Sequence, residues 1–487
     1  MSRAGEFSRQ GRTARTRGRD ARRHRQGIFA GFVGLTGFAS LLAAAAPPAA
    51  AQTLTQALAE AYNTNPQLLA QRALLRATDE QVPQALSGWR PTVNFTGQVG
   101  GTRGSFFTPS PKPTTDYLGF ETNNLNLQVT QPVYSGGRTL AQTRQAINTV
   151  DSTRAQTLAI ETAVFQAVAQ AYLDVVRDQA LVEVNRNNVQ VLRKQLEATQ
   201  DRFRVGEVTR TDVAQAESSL AQAIGTLTSA EGTLAQSRAE YVRVVGHPPG
   251  ILLLPRERPT LPATREAAQS LAANYNFNVI SANFAELAAR DNIDVVRGQL
   301  LPQISVVGTL NRLLSPSLTL GNAVEKTASI TAQMTMPLYE GGAIYSQTRQ
   351  AEQTVGQRLS QVDDARRAAV QTATDAWETL KAARASIASF AAAVRAAQIA
   401  LEGVQQEALV GTATTLDVLI QNQQLLTTQQ QLIVAEHDAA LAEFNLAAGT
   451  GRLIAADLHL PVQLYDMERH FNLVKDKLIG FGGGLKQ

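Results

Sequence analysis

The chain has 487 residues, a formal net charge of +4 and no cysteine. The lack of cysteine excludes disulfides, thiolate metal sites, cysteine nucleophiles and a lipid-modified N-terminal cysteine. Residues 1–51 carry nine arginines against two acids, a net charge of +7, so the remainder carries −3. The excess of basic over acidic residues therefore lies in the N-terminal segment, and it does not indicate a nucleic-acid partner.

The N-terminal segment has the pattern of a secretory signal. A basic stretch precedes an apolar run from Ile28 to Ala46, and the small residues Ala49-Ala50-Ala51 follow as a cleavage site. A membrane anchor is the alternative, because 19 apolar residues can just span a bilayer. We predict that residues 1–51 are removed. No comparable run follows, so the mature protein is expected to lack a transmembrane helix.

Internal similarity shows that the remainder is two copies of one half. LAEAYNTNPQL (58–68) matches LAANYNFNVIS (271–281), and QPVYSGGRTLAQTRQA (131–146) matches MPLYEGGAIYSQTRQA (336–351). The offsets are 213 and 205 residues, so only small insertions separate the copies. We predict four segments after the signal: a first repeat at 52–250, a proline-rich linker at 251–264, a second repeat at 265–459, and a loosely structured tail at 460–487.

Each copy is predicted to begin with a helical segment, at 54–86 and 265–298, and to continue with two short strands. A very long helix follows. From Arg138 to Val205 there are 68 residues without Gly or Pro, and Ala343 to Val410 gives the same length with two glycines. Such a helix is about 100 Å long. Its polarity excludes a transmembrane span and favours a coiled coil.

The helix that follows each Val-Gly turn carries a heptad pattern. Apolar residues recur every seven positions in the first copy, at Val213, Leu220, Leu227, Leu234 and Tyr241. Alanines fill most of the companion positions, and the second copy keeps the register. The pattern predicts closely packed, gently supercoiled helices.

Four stretches alternate apolar and polar residues with a period of two, at 92–99, 124–133, 303–310 and 329–338. This period predicts strands, and the segments between them, 104–117 and 312–326, are predicted loops. A sheet on a soluble core and a transmembrane barrel both explain the alternation. Four strands cannot close a barrel, so a barrel would be shared: two chains give eight strands and three give 12.

These features together resemble the TolC-type outer-membrane efflux family over roughly residues 54–460. RFRVGEVTRTDVAQAE (202–217), VGTATTLDVL (410–419) and the paired QPVYSGG and MPLYEGG motifs carry the resemblance. It implies an α+β membrane protein that forms a homotrimer. The trimer would share a 12-stranded β-barrel in the outer membrane of a Gram-negative bacterium, with a long periplasmic α-helical coiled-coil tunnel.

The implied function is a passive exit duct for an efflux pump or type I secretion system. Its implied partners are a periplasmic adaptor, an inner-membrane pump or ABC exporter, and outer-membrane lipid. An enzyme is a third alternative, but the four histidines after residue 51 (His247, His437, His459 and His470) are scattered without metal spacing, and GFGGGLK (480–486) lacks the Ser/Thr and the following helix of a phosphate loop. We therefore expect no enzymatic activity, no cofactor and no nucleic-acid partner. A periplasmic coiled-coil adaptor or scaffold is the alternative function, but it would not explain the strands. The sequence does not distinguish drugs from secreted polypeptides as cargo.

The resemblance also implies that the two Val-Gly turns are periplasmic tips that contact the adaptor. The expected contact residues are Arg202, Val205, Gly206, Thr209, Thr211, Asp212, Val410, Gly411, Thr414 and Thr415. Asp417 matches an acidic position that narrows the pore entrance. The alternative role for Asp212 and Asp417 is at the start of a helix, with Thr211 or Thr415 as the capping residue.

Three positions depart from the family pattern at the second tip. Ala408 and Ala413 stand where an aromatic residue and an arginine help to lock the tip, and Ile420 replaces a second acid. We therefore expect other groups to lock the tip. The candidate contacts join Arg202, Arg204 or Arg210 to Asp212.

Overall fold

The computed structural model describes residues 52–108, 114–255, 258–317 and 321–481. The predicted signal at 1–51 lies outside these ranges. The first half of the chain forms three short helices, two strands and a pair of long helices: α1 (Leu54–Thr64), α2 (Pro66–Asp79), α3 (Gln81–Leu86), β1 (Thr92–Thr108), β2 (Thr114–Ser135), α4 (Arg138–Arg204) and α5 (Arg210–Val245).

The second half repeats this order, as the internal similarity predicts, except that two opening helices replace three. Its elements are α6 (Arg265–Tyr275), α7 (Phe277–Arg297), β3 (Gln303–Ser317), β4 (Gly321–Thr335), α8 (Ala343–Leu409) and α9 (Thr415–Gly449), and a last short helix, α10 (Met467–Val474), follows them. Asn65 and Asn276 occupy matching positions, and each accepts a hydrogen bond from the backbone two residues later. Each asparagine therefore caps the second short helix of its copy.

The two long helices agree with the predicted lengths to within one residue. Both α4 and α8 have 67 residues, which corresponds to about 100 Å at 1.5 Å per residue. Each pairs with the helix that follows it, and the heptad residues of that helix face the pair. Leu234 and Tyr241 are buried in α5, and Val418 and Leu446 are buried in α9.

The four strands form one antiparallel sheet in the order β1-β2-β3-β4. They are longer than predicted, with 17, 22, 15 and 15 residues, and they extend into both segments that were predicted as loops. That part of the prediction is wrong. The ladder of antiparallel pairs continues through Gly-, Pro- and Ser-rich sequence because pairing with a neighbouring strand outweighs local propensity. Residues 109–113 and 318–320 of these segments lie outside the described ranges.

The strand register separates an apolar face from a polar face. Val93 pairs with Val129, which pairs with Gly308, which pairs with Ile330. On the opposite face Asn126 pairs with Asn311. The alternation that predicted the strands therefore produces a sheet with two chemically different surfaces.

The main hydrophobic core joins the short opening helices to the long pairs. Phe165 and Tyr172 of α4, Tyr241 of α5 and Leu68 of α2 are fully buried there. The Tyr172 hydroxyl lies 2.9 Å from the carbonyl oxygen of Gln52 and 2.8 Å from that of Leu253. This contact ties the start of the first copy to the segment between the copies.

The C-terminal segment differs from the loosely structured tail predicted for it. Within its described part, α10 packs on the first copy: the Arg154 guanidinium lies 5.1 Å from the Phe471 ring, and His470 Nδ1 lies 3.0 Å from Asp79 Oδ2. The backbone N–H of Tyr465 donates to the Tyr62 hydroxyl at 2.8 Å. Helix α10 had no counterpart in the other copy, so the repeat gave no signal for it.

One described helix is long and apolar enough to cross a membrane by length and composition. An 18-residue stretch of α8 has a mean hydropathy of 1.3, and 11% of that stretch is buried. A span needs about 20 residues, whereas α8 has 67 and pairs with α9. Length and composition alone do not assign a membrane span to α8.

Candidate functional site: the two helical hairpins

The first hairpin joins α4 to α5 through a Schellman turn. Gly206 has φ +82°, and its N–H donates to the Phe203 carbonyl at 3.0 Å. The N–H of Glu207 donates to the Arg202 carbonyl at 2.9 Å. A Cβ at Gly206 would meet nothing within 4 Å, so backbone conformation alone requires glycine there.

The second hairpin, from α8 to α9, repeats the same turn. Gly411 has φ +84°, its N–H donates to Ala408 at 3.4 Å, and the N–H of Thr412 donates to Glu407 at 2.9 Å. The shared Val-Gly motif thus encodes the same reversal twice. This confirms the prediction that each long helix turns back at its Val-Gly pair.

Each return helix begins with a reciprocal capping box. The Thr209 hydroxyl accepts from the Asp212 N–H at 3.3 Å, and the Asp212 carboxylate accepts from the Thr209 N–H at 2.8 Å. Thr414 and Asp417 make the same pair at 3.2 and 2.9 Å. The prediction that Thr211 or Thr415 caps these helices is therefore wrong. The T-x-x-D spacing was the signal that identifies the true caps.

The capping hydrogen bonds set the protonation of both aspartates. The Thr414 hydroxyl and, to a smaller extent, the Thr414 backbone N–H donate hydrogen bonds to the Asp417 carboxylate. These hydrogen bonds lower the pKa of that carboxyl from its usual value of 3.8. Thr209 lowers the pKa of Asp212 in the same way. Both carboxylates are charged at neutral pH, and Asp417 is also exposed to solvent. Capping of the return helices is therefore sufficient to explain why an aspartate stands at each of these positions. A pore role for Asp417 stays a prediction.

The expected contacts between arginines and Asp212 are absent from the described residues. Arg202 instead pairs with Glu207 at 3.0 Å, and Arg204 pairs with Asp201. Arg202 also donates to the carbonyl of Ala408 at 3.4 Å, which links the two hairpins of one chain. This contact needs only the backbone of Ala408, so the missing aromatic side chain does not prevent it.

The two hairpin apices differ in chemistry although they share a backbone. Val205 and Val410 are 79% and 76% exposed, so each apex presents an apolar residue to solvent. The first apex is surrounded by charged residues: Asp201, Arg202, Arg204, Glu207 and Arg210. The second carries exposed Leu409 and Leu416 together with two exposed acids, Glu407 and Asp417, and it has no basic residue. A partner would therefore meet charges of both signs at the first apex and a mixed apolar and acidic surface at the second.

Polar contacts that the sequence did not reveal hold the two hairpins together above the turns. Asn422 donates to Asn188 at 2.8 Å, and Gln430 donates to Asn185 at 3.0 Å. Leu419 of α9 packs in a small buried cluster with residues of α4 and α5. These pairs connect helices of different copies, so no motif within one copy could predict them.

A buried histidine forms a further link between the copies. His437 of α9 has Nε2 3.0 Å from Asp174 Oδ1 and Nδ1 2.9 Å from Asp438 Oδ1. Burial lowers the pKa of His437, but its close contacts with the Asp174 and Asp438 carboxylates outweigh the effect of burial and raise the pKa above 6.5. Asp174 also pairs with Arg177 at 2.8 Å. No motif in the sequence singled out this histidine.

Two helices of 67 residues, each joined at one end to an amphipathic sheet and followed at the other by a glycine turn and a return helix, define an outer-membrane channel with a helical extension. The sequence model described as "Outer membrane efflux protein" matches residues 41–247 and 268–452. The chain belongs to this outer membrane efflux protein family, as its motifs predicted.

Individual relatives agree with this assignment. The outer membrane efflux protein BepC of Brucella suis is 35% identical over 434 residues, covering 89% of this chain and 92% of that protein. The outer membrane protein TolC of Escherichia coli K12 is 26% identical over 444 residues, with coverages of 87% and 86%. The solved structure of the Campylobacter jejuni CmeC outer membrane channel has a TM-score of 0.73 at 15% identity and coverages of 87% and 89%.

The protein is thus an outer-membrane exit duct for efflux or secretion, with a large periplasmic helical part. The predicted family, function and location are confirmed. The adaptor or scaffold alternative is set aside, because the family consists of channel proteins.

Proposed function

We propose that three copies of the chain close their sheets into one 12-stranded barrel and their long helices into one periplasmic tunnel. Residues 1–51 would be removed on export, leaving the two repeats at 52–250 and 265–459. Cargo would pass through without being chemically changed. Energy and cargo selection would come from an inner-membrane pump or exporter that is joined to the duct by a periplasmic adaptor.

The observation that carries this proposal is the open, two-faced sheet. β1 and β4 each pair with one neighbour in the chain, so each leaves a row of backbone donors and acceptors unpaired on its outer side. A lipid bilayer does not tolerate such open edges. Pairing β4 of one chain with β1 of the next satisfies both edges. Three chains give 12 strands, which leaves a central opening.

The tips supply the proposed docking site for the adaptor. Val205 and Val410 provide exposed apolar anchors, and Arg202, Thr209 and Thr414 border them. The proposed contact residues further include Gly206, Thr211, Asp212, Gly411 and Thr415. Because the two apices differ in charge, we propose that the adaptor makes two inequivalent contacts per chain. Three chains would then present six tips in two alternating types.

The placement of the sheet can be tested by substitution on its two faces. Val129 lies on the apolar face, and Val129→Lys near the middle of the membrane is expected to cost about 2–4 kcal/mol per chain. Asn126→Lys on the polar face is the matched control and is expected to be mild. The amount of assembled protein in the outer membrane is the measurement. Equal tolerance at the two positions contradicts the barrel.

A further inference from the structure

Two cations stand opposite each other on the apolar face of the sheet. Arg312 of β3 pairs with Lys326 of β4, and Arg312 pairs on its other side with Leu125 of β2. Arg312 is two residues beyond Leu310, so the register places both cations on the face that carries Val129 and Leu127. Both residues lie within 312–326, the segment predicted as a loop.

This arrangement is unfavourable unless an anion is present. Side chains directly opposite on antiparallel strands have Cβ atoms about 4.5–5.5 Å apart, and like charges at that distance repel. Both side chains are exposed, and among the described residues neither has an ion-pair partner. A phosphate between them would replace repulsion by two charge-assisted contacts, and the arginine fork suits phosphate oxygens.

A groove runs along the sheet beside the two cations. It has a volume of about 370 Å³, and apolar residues form most of its wall: Phe95, Leu125, Leu127, Leu310 and Ala328. Glycines at 97 and 308 lie on the same face, and a Cβ at Gly308 would meet nothing within 4 Å. Because glycine has no side chain, these two positions leave the surface of the groove open. An apolar groove that ends at two cations matches an acyl chain attached to a phosphorylated headgroup.

The height of the pair fits the outer leaflet. Arg312 lies nine residues from Gln303, the first residue of β3 after the helical part. Nine residues span about 30 Å along a strand, or about 23 Å along the membrane normal at a tilt of roughly 40°. The apolar band of such barrels is about 25 Å tall. The cations thus lie near the outer boundary, where long basic side chains reach the headgroups.

We propose that Arg312 and Lys326 form a binding site for the phosphorylated glycolipid of the outer leaflet, whose acyl chain occupies the groove lined by Phe95, Leu127 and Leu310. This inference rests on the proposed barrel, which turns the apolar face toward lipid. Each chain carries one such site. The site would fix the outer rim of the duct to its own leaflet and offset the repulsion between the two cations.

The test is a titration of the purified full-length protein in detergent with diphosphorylated lipid A, followed by native mass spectrometry. The double variant R312Q/K326Q is expected to bind at least tenfold more weakly than the unsubstituted protein, because two charged contacts are lost. The matched control R193Q/K194Q removes two exposed cations from α4, outside the sheet, and is expected to bind as the unsubstituted protein does.

Three outcomes would overturn the site. The first is an unchanged affinity for lipid A in R312Q/K326Q. The second is an equal affinity of the unsubstituted protein for lipid A from which both phosphates have been removed. The third is displacement of lipid A by inorganic phosphate at equal concentration, which would indicate a simple anion site. Outer-membrane fractionation of the unsubstituted protein and of both variants is measured in parallel. Absence of the unsubstituted protein from that membrane would contradict the barrel itself, whereas unchanged lipid affinity in a correctly inserted variant contradicts only the lipid site.

Discussion

At the scale of single residues, each tip depends on a threonine and an aspartate three positions apart. Thr209 with Asp212 and Thr414 with Asp417 satisfy backbone donors at the start of the return helices. The same four-residue device appears in both copies, whereas the surrounding side chains differ. Capping is therefore the common role of these residues, and any pore or docking role is added to it.

Removing a cap should loosen the first turn of the return helix. Thr414→Ala is expected to cost about 1 kcal/mol, which corresponds to about fivefold faster amide hydrogen exchange in the first turn of α9. Thr209→Ala should do the same in α5. Thr415→Ala is the control, because Thr415 follows the cap and makes no capping bond. Equal acceleration by the Thr414 and Thr415 variants would contradict the assignment of the cap.

His437 should make the stability of the helical part depend on pH. The folded-state pKa is raised above 6.5, so the histidine stabilises the fold fully below pH 6.5, and this contribution is lost as the pH rises through the folded value. The melting temperature is therefore expected to fall between pH 6 and pH 8.

His437→Gln should flatten that dependence, since glutamine does not titrate. His459→Gln serves as the control, because His459 is exposed outside the long helix pairs. A pH dependence that is identical in the His437 variant and the unsubstituted protein would show that another group is responsible.

At the scale of elements, the sequence predicts best those helices and turns whose boundaries are marked by residues close to them in the chain. The long helices were predicted to within one residue, because Gly136-Gly137 and Gly341-Gly342 precede them and a Val-Gly pair ends them. The full length of the strands was not predicted, because it depends on pairing between strands across the sheet. Helix α10 and the contacts between Asn188 and Asn422 depend on the tertiary fold and leave no periodic signal.

The glycine pairs at the junctions between strand and helix look equivalent in sequence but differ in their surroundings. Gly136 has φ +65°, and a Cβ there would overlap the Gly298 carbonyl oxygen and lie 2.9 Å from Leu301 Cβ. Gly341 has φ +61°, and a Cβ there would meet nothing within 4 Å. The first junction is closely packed against the short segment that follows α7, at Gly298 and Leu301, whereas the second is open within the chain.

Substitution should reveal this difference. Both Gly136→Ala and Gly341→Ala carry a left-handed penalty of about 1–2 kcal/mol. Gly136→Ala adds overpacking, so it is expected to destabilise the protein by roughly 1–3 kcal/mol more than Gly341→Ala. Denaturant unfolding of the two variants under identical conditions gives the comparison. Equal destabilisation would mean that the first junction relaxes freely.

At the scale of the whole molecule, the proposed trimer turns a repeated residue into a ring. Asp212 and Asp417 each complete the same capping box, so their local hydrogen bonds do not distinguish them. What distinguishes them is their position relative to the proposed tunnel entrance. Asp417 is exposed, charged and without a second acid at Ile420, so a ring of three carboxylates would control the entrance alone. Such a ring concentrates cations in a narrow passage.

Ion conductance in a planar bilayer separates the two aspartates. We expect cation-selective steps at pH 7 from the unsubstituted protein and from Asp212→Asn, and markedly reduced selectivity from Asp417→Asn. The Thr414 hydrogen bonds lower the pKa of each Asp417 carboxyl, whereas in the proposed ring each carboxylate raises the pKa of its neighbours. Selectivity is therefore expected to disappear as the pH falls through the acidic range in which these carboxyls protonate. Equal selectivity in the two variants would leave Asp417 as a capping residue and place the entrance constriction elsewhere.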